Sequence, residues 1–315
     1  MKIKLTYLLI YICIQTIHAQ TTPFKVVGYY SIDAAIKNEN KLPFNYLTHI
    51  NLWFLNPDSL GSFTQDLSLI KPFIRDAQRK KVKVLFSIGG GSKQPQYHGL
   101  LKDRRELLIN NLILIVNQYH LDGIDVDLEG SDIDENYEPF VIELARGLHA
   151  QQKIITAAVA VYYKNQLSDA ALNAYDFVNI MSYDRTGPWR PDRPGPHSTY
   201  THAVEDLRYF GIDRKISKNK MTLGVPFYGY GYGPDLKSKA ISMSYDKIVT
   251  AFPDASYVDE WLLPDGKIIY YNGIPTMKQK TKLASEMASG IMIWQILGDT
   301  RGNKSLLKAI HKAYH

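Results

Sequence analysis

Between Leu121 and Ser131 the chain reads Leu-Asp-Gly-Ile-Asp-Val-Asp-Leu-Glu-Gly-Ser, so that Ile124, Val126 and Leu128 alternate with Asp125, Asp127 and Glu129. Period two is the signature of a β-strand, whose successive side chains point to opposite faces. One face of this strand is apolar and the other is a row of three carboxyls. With both faces covered, three like charges in low dielectric must share protons, bond to one another or meet an opposite charge. Such a row is costly to keep for stability alone, which points to chemistry. Two plainer readings compete with that one. A half-exposed edge strand with a solvated acidic face shows the same alternation. Asp125, Asp127, Glu129 and Gly130 also fall on positions 1, 3, 5 and 6 of an EF-hand loop, but Asn136 stands at position 12, where a bidentate Glu is needed, and strand-forming aliphatics are interleaved. Calcium is therefore set aside. No Cys or His spacing suits a metal, and neither a metal nor any other cofactor is expected.

The rest of the chain argues against an edge strand. Further strand candidates are Lys25–Tyr30, Thr48–Phe54, Val82–Ser87, Ile154–Val161, Phe177–Tyr183, Met221–Tyr228 and Gly290–Ile296, which with Gly123–Glu129 make eight. Most are continuous apolar runs, the pattern of strands covered on both faces. Helical stretches are expected at Leu67–Arg79, Arg104–Tyr119, Tyr137–Ala150, His202–Tyr209 and Lys304–Ala313. Eight buried strands alternating with helices predict an α/β fold, a single (β/α)8 TIM barrel. Two connections are long. The Pro- and Gly-rich run Thr186–Pro196 is expected to be an ordered loop after the sixth strand. A small insertion after strand seven, from Gly229 to about Lys280, is expected to hold a hairpin turning at Pro264-Asp265-Gly266, with arms 257–263 and 267–271.

The N-terminus reads as an export signal. Lys2 and Lys4 precede an apolar run from Leu5 to about Ile17, too short to span a bilayer comfortably, and cleavage is expected after Ala19. Residues 1–19 are thus read as a signal peptide and 20–315 as one catalytic barrel, exported to the periplasm or medium, without stable membrane insertion and monomeric. The lone cysteine, Cys13, lies inside the signal, so the mature core does without disulfides. Loss of Lys2 and Lys4 takes the formal charge from +6 to +4, which gives no reason to invoke nucleic acid. The 22 tyrosines offer flat faces suited to sugar rings, though tyrosine also packs cores.

In a barrel of this kind catalytic groups sit at the carboxyl ends of strands. Glu129 ends the fourth strand, Tyr183 and Asp184 the sixth and Tyr228 the seventh, while Ser87-Ile88-Gly89-Gly90 ends the third and Trp294 lies in the eighth. Each alone reads as core or turn; together they outline a cleft. On these residues the chain resembles glycoside hydrolase family 18, the chitinase family, over essentially its whole mature length. Asp122-Gly123-Ile124-Asp125-Val126-Asp127-Leu128-Glu129 is similar to that family's DGxDxDxE signature, complete in every acid. Gly28-Tyr29-Tyr30, Ser87–Gly90, Met181-Ser182-Tyr183-Asp184, Gly224-Val225-Pro226-Phe227-Tyr228-Gly229 and Trp294 match in order.

The resemblance implies roles. Glu129 is the general acid and later the base; Asp127 holds the substrate's acetamido N–H; Asp125 shares a proton with Asp127; Tyr183 donates to the acetamido oxygen. Trp294 is the floor beneath the sugar, with Met181, Asp184, Tyr228, Tyr29, Ser87, Phe54 and Trp189 as further binding positions; Tyr29 and Ser87 match positions that bond the inner Asp. The implied substrate is chitin, chito-oligosaccharide or a related N-acetylglucosamine glycan, cleaved with retention by substrate assistance, as this family departs from the two-carboxylate scheme. The insertion after strand seven is short for the family, which implies an open cleft. Three alternatives stay open: an endo-β-N-acetylglucosaminidase acting on N-glycan cores, a peptidoglycan-type substrate, and a sugar-binding lectin of the same fold.

Overall fold

The apolar runs become strands covered on both faces. The structure, a computed structural model, describes residues 23–37, 42–91, 93–234 and 239–315; the expected signal peptide lies outside the described residues. In chain order the elements are β1 (Lys25–Ser31), α1 (Ile32–Lys37), β2 (His49–Trp53), α2 (Lys71–Arg79), β3 (Lys83–Gly89), α3 (Gln96–Asp103), α4 (Arg105–Gln118), β4 (Gly123–Asp127), α5 (Tyr137–His149), β5 (Ile154–Val159), α6 (Asp169–Ala174) and β6 (Phe177–Ile180). They continue with α7 (Tyr200–Arg208), β7 (Met221–Pro226), β8 (Tyr228–Tyr232), β9 (Ile241–Ser244), α8 (Tyr245–Ala251), β10 (Glu260–Leu262), β11 (Ile268–Tyr270), α9 (Ile274–Met287), β12 (Gly290–Trp294) and α10 (Leu306–Tyr314).

Strands β1 to β7 and β12 close into a barrel in the order β1-β12-β7-β6-β5-β4-β3-β2, with every pairing parallel. Two apolar layers hold it. The larger lies between strands and helices, where Phe86, Ile124, Val126 and Ile155 meet Leu112, Phe140 and Leu144. The smaller fills the barrel interior with Val27, Tyr29, Phe177, Tyr183 and Met292. Some helix starts are fixed locally: Thr199 Oγ1 accepts the His202 amide and His202 Nδ1 the Thr199 amide, a reciprocal cap on α7. Among the described residues no helix is long and apolar enough to cross a membrane.

Three expectations need correction. Several strands stop pairing sooner than the apolar runs do, because inter-strand hydrogen bonding ends where the loops begin; β4 ends at Asp127 and β6 at Ile180, leaving Glu129, Tyr183 and Asp184 just beyond. Tyr228 does not end the seventh strand but begins β8, across a break at Pro226-Phe227. The connection expected to run to Lys280 already contains the first half of α9, and its hairpin arms are shorter, with Tyr257 in the 3-10 turn Pro253–Tyr257. The hairpin does turn at 264–266, Gly266 taking φ +81°, and it joins two further strands in an antiparallel sheet ordered β10-β11-β8-β9.

Candidate active site

Register places the inner acid. Asp125 pairs with Ser87 of β3 on one side and Thr156 of β5 on the other. Its carboxylate is wholly buried and accepts four hydrogen bonds: Tyr29 Oη at 2.6 Å and Ser87 Oγ at 2.7 Å on Oδ2, Thr156 Oγ1 at 2.5 Å and Asn179 Nδ2 at 3.2 Å on Oδ1. Burial pushes its pKa up while all four donors oppose the shift. Both oxygens are occupied, and the expected hydrogen bond to Asp127 is not formed in this structure.

Asp127, two residues on, is buried, with Oδ1 unpartnered. Burial, then the charge of Glu129, then that of Asp125 raise it well above the carboxylate range. Glu129 is half-buried and raised to about 7, by burial first and then by the charges of Asp184 and Asp132. Asp184 and Asp132, rather than the adjacent Asp127, supply the charges that act on it. The chain can turn under this row because Gly89, at φ +97°, lies so close to the Asp127 carbonyl that a Cβ there would sit 2.3 Å from the oxygen. Gly90 donates its amide to the same carbonyl at 2.8 Å.

Asp184 is the second hub. Its backbone is left-handed, φ +61°, and its Oδ1 accepts from Tyr228 Oη at 2.6 Å and Tyr230 Oη at 3.1 Å. The buried His197 ring faces it, Nδ1 lying 3.2 Å from Oδ1 and 3.3 Å from the Asp184 amide. Tyr183 reaches inward, its hydroxyl 3.8 Å from Met292 Sδ, and its carbonyl accepts from Tyr162 Oη at 3.2 Å. Trp294 lies against Tyr29, Trp53 and Phe54, with ring centroids 5.4, 5.4 and 5.8 Å away. In the loop after β6, Trp189 packs edge-on to Tyr230 at 5.6 Å and stays 59 % exposed.

Glu129, Asp127, Met181, Tyr183, Asp184, Phe54, Trp189 and Trp294 all line one cleft of about 600 Å³ at the carboxyl ends of the barrel strands. Tyr228 lines an adjoining cavity of about 450 Å³ that shares Asp184 and Trp294 with the first. Tyr29, Ser87 and Asp125 lie beneath the cleft rather than on its wall: Tyr29 and Ser87 reach Asp125 and not the open space. Four contributors escaped the sequence reading. Thr156 and Asn179 carried a legible signal, a single polar residue inside an apolar strand; His197 and Tyr230, on a loop and on an insertion strand, carried none.

Among folds that work from the carboxyl ends of their strands, a carboxylic acid held near neutral beside an aromatic floor defines a barrel for cleaving glycosides. The chain belongs to one family of these: the model of glycosyl hydrolases family 18 matches residues 25–299. It is similar to the GH18 chitinase ChiB from the chitin utilization locus of Flavobacterium johnsoniae, with 35 % identity, a TM-score of 0.82 and 93 % of this chain and 94 % of that one covered. Among curated proteins it is similar to a chitinase-like effector of Moniliophthora roreri, 26 % identical over 61 % of this chain, and to endochitinase 1 of Metarhizium anisopliae, 25 % identical over 72 %. The match spans 55 % and 64 % of those two proteins' lengths.

Proposed function

We propose that the protein hydrolyses β-1,4-linked N-acetylglucosamine polymers or oligomers, retaining configuration at the anomeric carbon, and that it does so as an exported monomer after loss of residues 1–19. The observation that carries this reading is the placing of Asp127, at the end of β4, and Glu129, on the extended backbone just beyond it, side by side at the cleft, both raised above the carboxylate range and Glu129 to about 7. Glu129 in its acid form gives its proton to the glycosidic oxygen as the bond to the anomeric carbon breaks. Second neighbours on a strand face sit roughly 7 Å apart at the backbone and approach a sugar from one side, whereas a carboxylate nucleophile must stand opposite the acid at about 5 Å. The nucleophile is then the substrate's own acetamido oxygen, which closes on the anomeric carbon to a bicyclic oxazolinium ion. Asp127 accepts the acetamido N–H on one carboxyl oxygen, which a protonated carboxyl can do without losing its proton, and Asp125 lies behind it, held by four donors. Tyr183 donates to the acetamido oxygen and Trp294 carries the ring. Glu129, now a base, takes a proton from the water that opens the oxazolinium ion.

Chitopentaose followed by proton NMR tests this. The first-formed product has the β configuration, a thiazoline mimic of the oxazolinium ion inhibits competitively, and sugars lacking the N-acetyl group at the cleavage subsite are not cut. An α product, or a covalent glycosyl–Asp127 adduct, overturns the mechanism. Cleavage of an N-glycan core or peptidoglycan instead of chitopentaose moves the substrate, and binding without any cleavage leaves a lectin.

A further inference from the structure

One buried lysine has no part in that chemistry. Lys280 points inward from α9 and is 0 % exposed. Its ammonium donates to the Ser198 carbonyl at 2.8 Å, Ser198 Oγ at 2.7 Å and Asn272 Oδ1 at 2.8 Å. None of these acceptors is a carboxylate, and burying an ammonium on neutral groups is far less favourable than packing a methionine of similar length there. The charged and titratable groups that act on it, Asp206 and His202 on α7 and Asp259 in the insertion, do not bond it.

The bonds converge on one residue. Asn272 is itself turned toward Ser198, donating from Nδ2 to the same carbonyl at 2.8 Å. Ser198 Oγ in turn donates to the Ser182 carbonyl at 2.6 Å. Ser182 precedes Tyr183 and Asp184, and Ser198 follows His197, which faces Asp184. Ser198 therefore joins the two ends of the loop that leaves β6 and enters α7, and Lys280 grips that junction from behind.

We propose that Lys280 is a positioning residue: it clamps Ser198, and through Ser198 fixes the Ser182 carbonyl and the placement of Tyr183 and Asp184 in the cleft. The effect on turnover rests on the family 18 reading of Tyr183 and Asp184; the clamp itself does not.

The test compares wild type with Lys280→Met, Ser198→Ala and the double variant, reading kcat and KM on chitopentaose and amide hydrogen exchange over residues 182–198. In Lys280→Met, kcat falls about tenfold with KM within about twofold, since a small misplacement of reacting groups lowers rate more than binding. Ser198→Ala acts in the same direction, and the double variant is no worse than Lys280→Met, because both cut one tie. Exchange quickens at both ends of the loop. A kcat within twofold of wild type in Lys280→Met, or independent and multiplying effects in the double variant, overturns the proposal. If Lys280→Met does not fold, an unchanged kcat in Ser198→Ala overturns it. Should wild type fail to cut chitopentaose, the functional reading fails, and the clamp is judged by exchange alone: unaltered rates over 182–198 reject it.

Discussion

Glu129 sits where two demands meet. On the proposed mechanism it must be protonated to cleave, and burial, with the charges of Asp184 and Asp132 added, lifts it to about 7 from 4.5. The alkaline limb of kcat/KM therefore falls near pH 7 in a pH–rate profile of the free enzyme. The same shift links to stability. Between pH 4.5 and 7 the folded chain holds a proton on Glu129 that the unfolded chain has lost, so this residue's stabilising contribution is full below that window and fades as pH rises through it. Glu129→Gln carries no such proton. Its turnover drops by about 10²–10⁴-fold while oligosaccharide binding persists. Its thermal midpoint relative to wild type also climbs as pH is raised from 4.5 to 8, checked by paired melts across pH. A variant retaining more than about a tenth of activity removes Glu129 from the role of acid.

At the scale of elements, the end of β3 supports the site closely. Gly89 takes a backbone that side chains rarely adopt, and its Cβ would collide with the Asp127 carbonyl. Gly89→Ala is expected to cost about 2–4 kcal/mol in urea unfolding, from the strained φ together with displacement of β4, and to lower turnover as well. Asp299 offers a contrast. Its carboxylate accepts from Ser305 Oγ and from the amides of Thr300, Leu306 and Leu307, holding the start of α10. Asp299→Ala should lose about 1–3 kcal/mol with kcat little changed, measured by the same melts and assays. The strands and the acid row were legible because a barrel's interior imposes plain rules: apolar runs, and polar residues only where chemistry or a partner holds them. The helix α9 was not, because its inner face carries Lys280 and Thr281 where apolar residues would announce it, and its first turn opens with Pro275. Asp184's partners were illegible for a different reason: His197 and Tyr230 reach it from a loop and an insertion strand that no local pattern links to β6.

For the whole molecule, a single cysteine, Cys13, means that one chain forms no internal disulfide, so the thermal midpoint should be indifferent to dithiothreitol. It should be equally indifferent to EDTA; a shift of several degrees with either reagent would reveal a crosslink or ion that the fold relies on. The closure of the barrel also bears on synthesis. β1 finds β2 soon after it is made, but its other edge is met only by β12, about 260 residues later. At roughly 5–20 residues per second, that edge waits on the order of ten to fifty seconds during translation with its backbone groups unsatisfied. A chain that folded as it emerged would in that interval be a sheet with two open sides, and whatever keeps it from pairing with its neighbours would have to act before the last strand arrives.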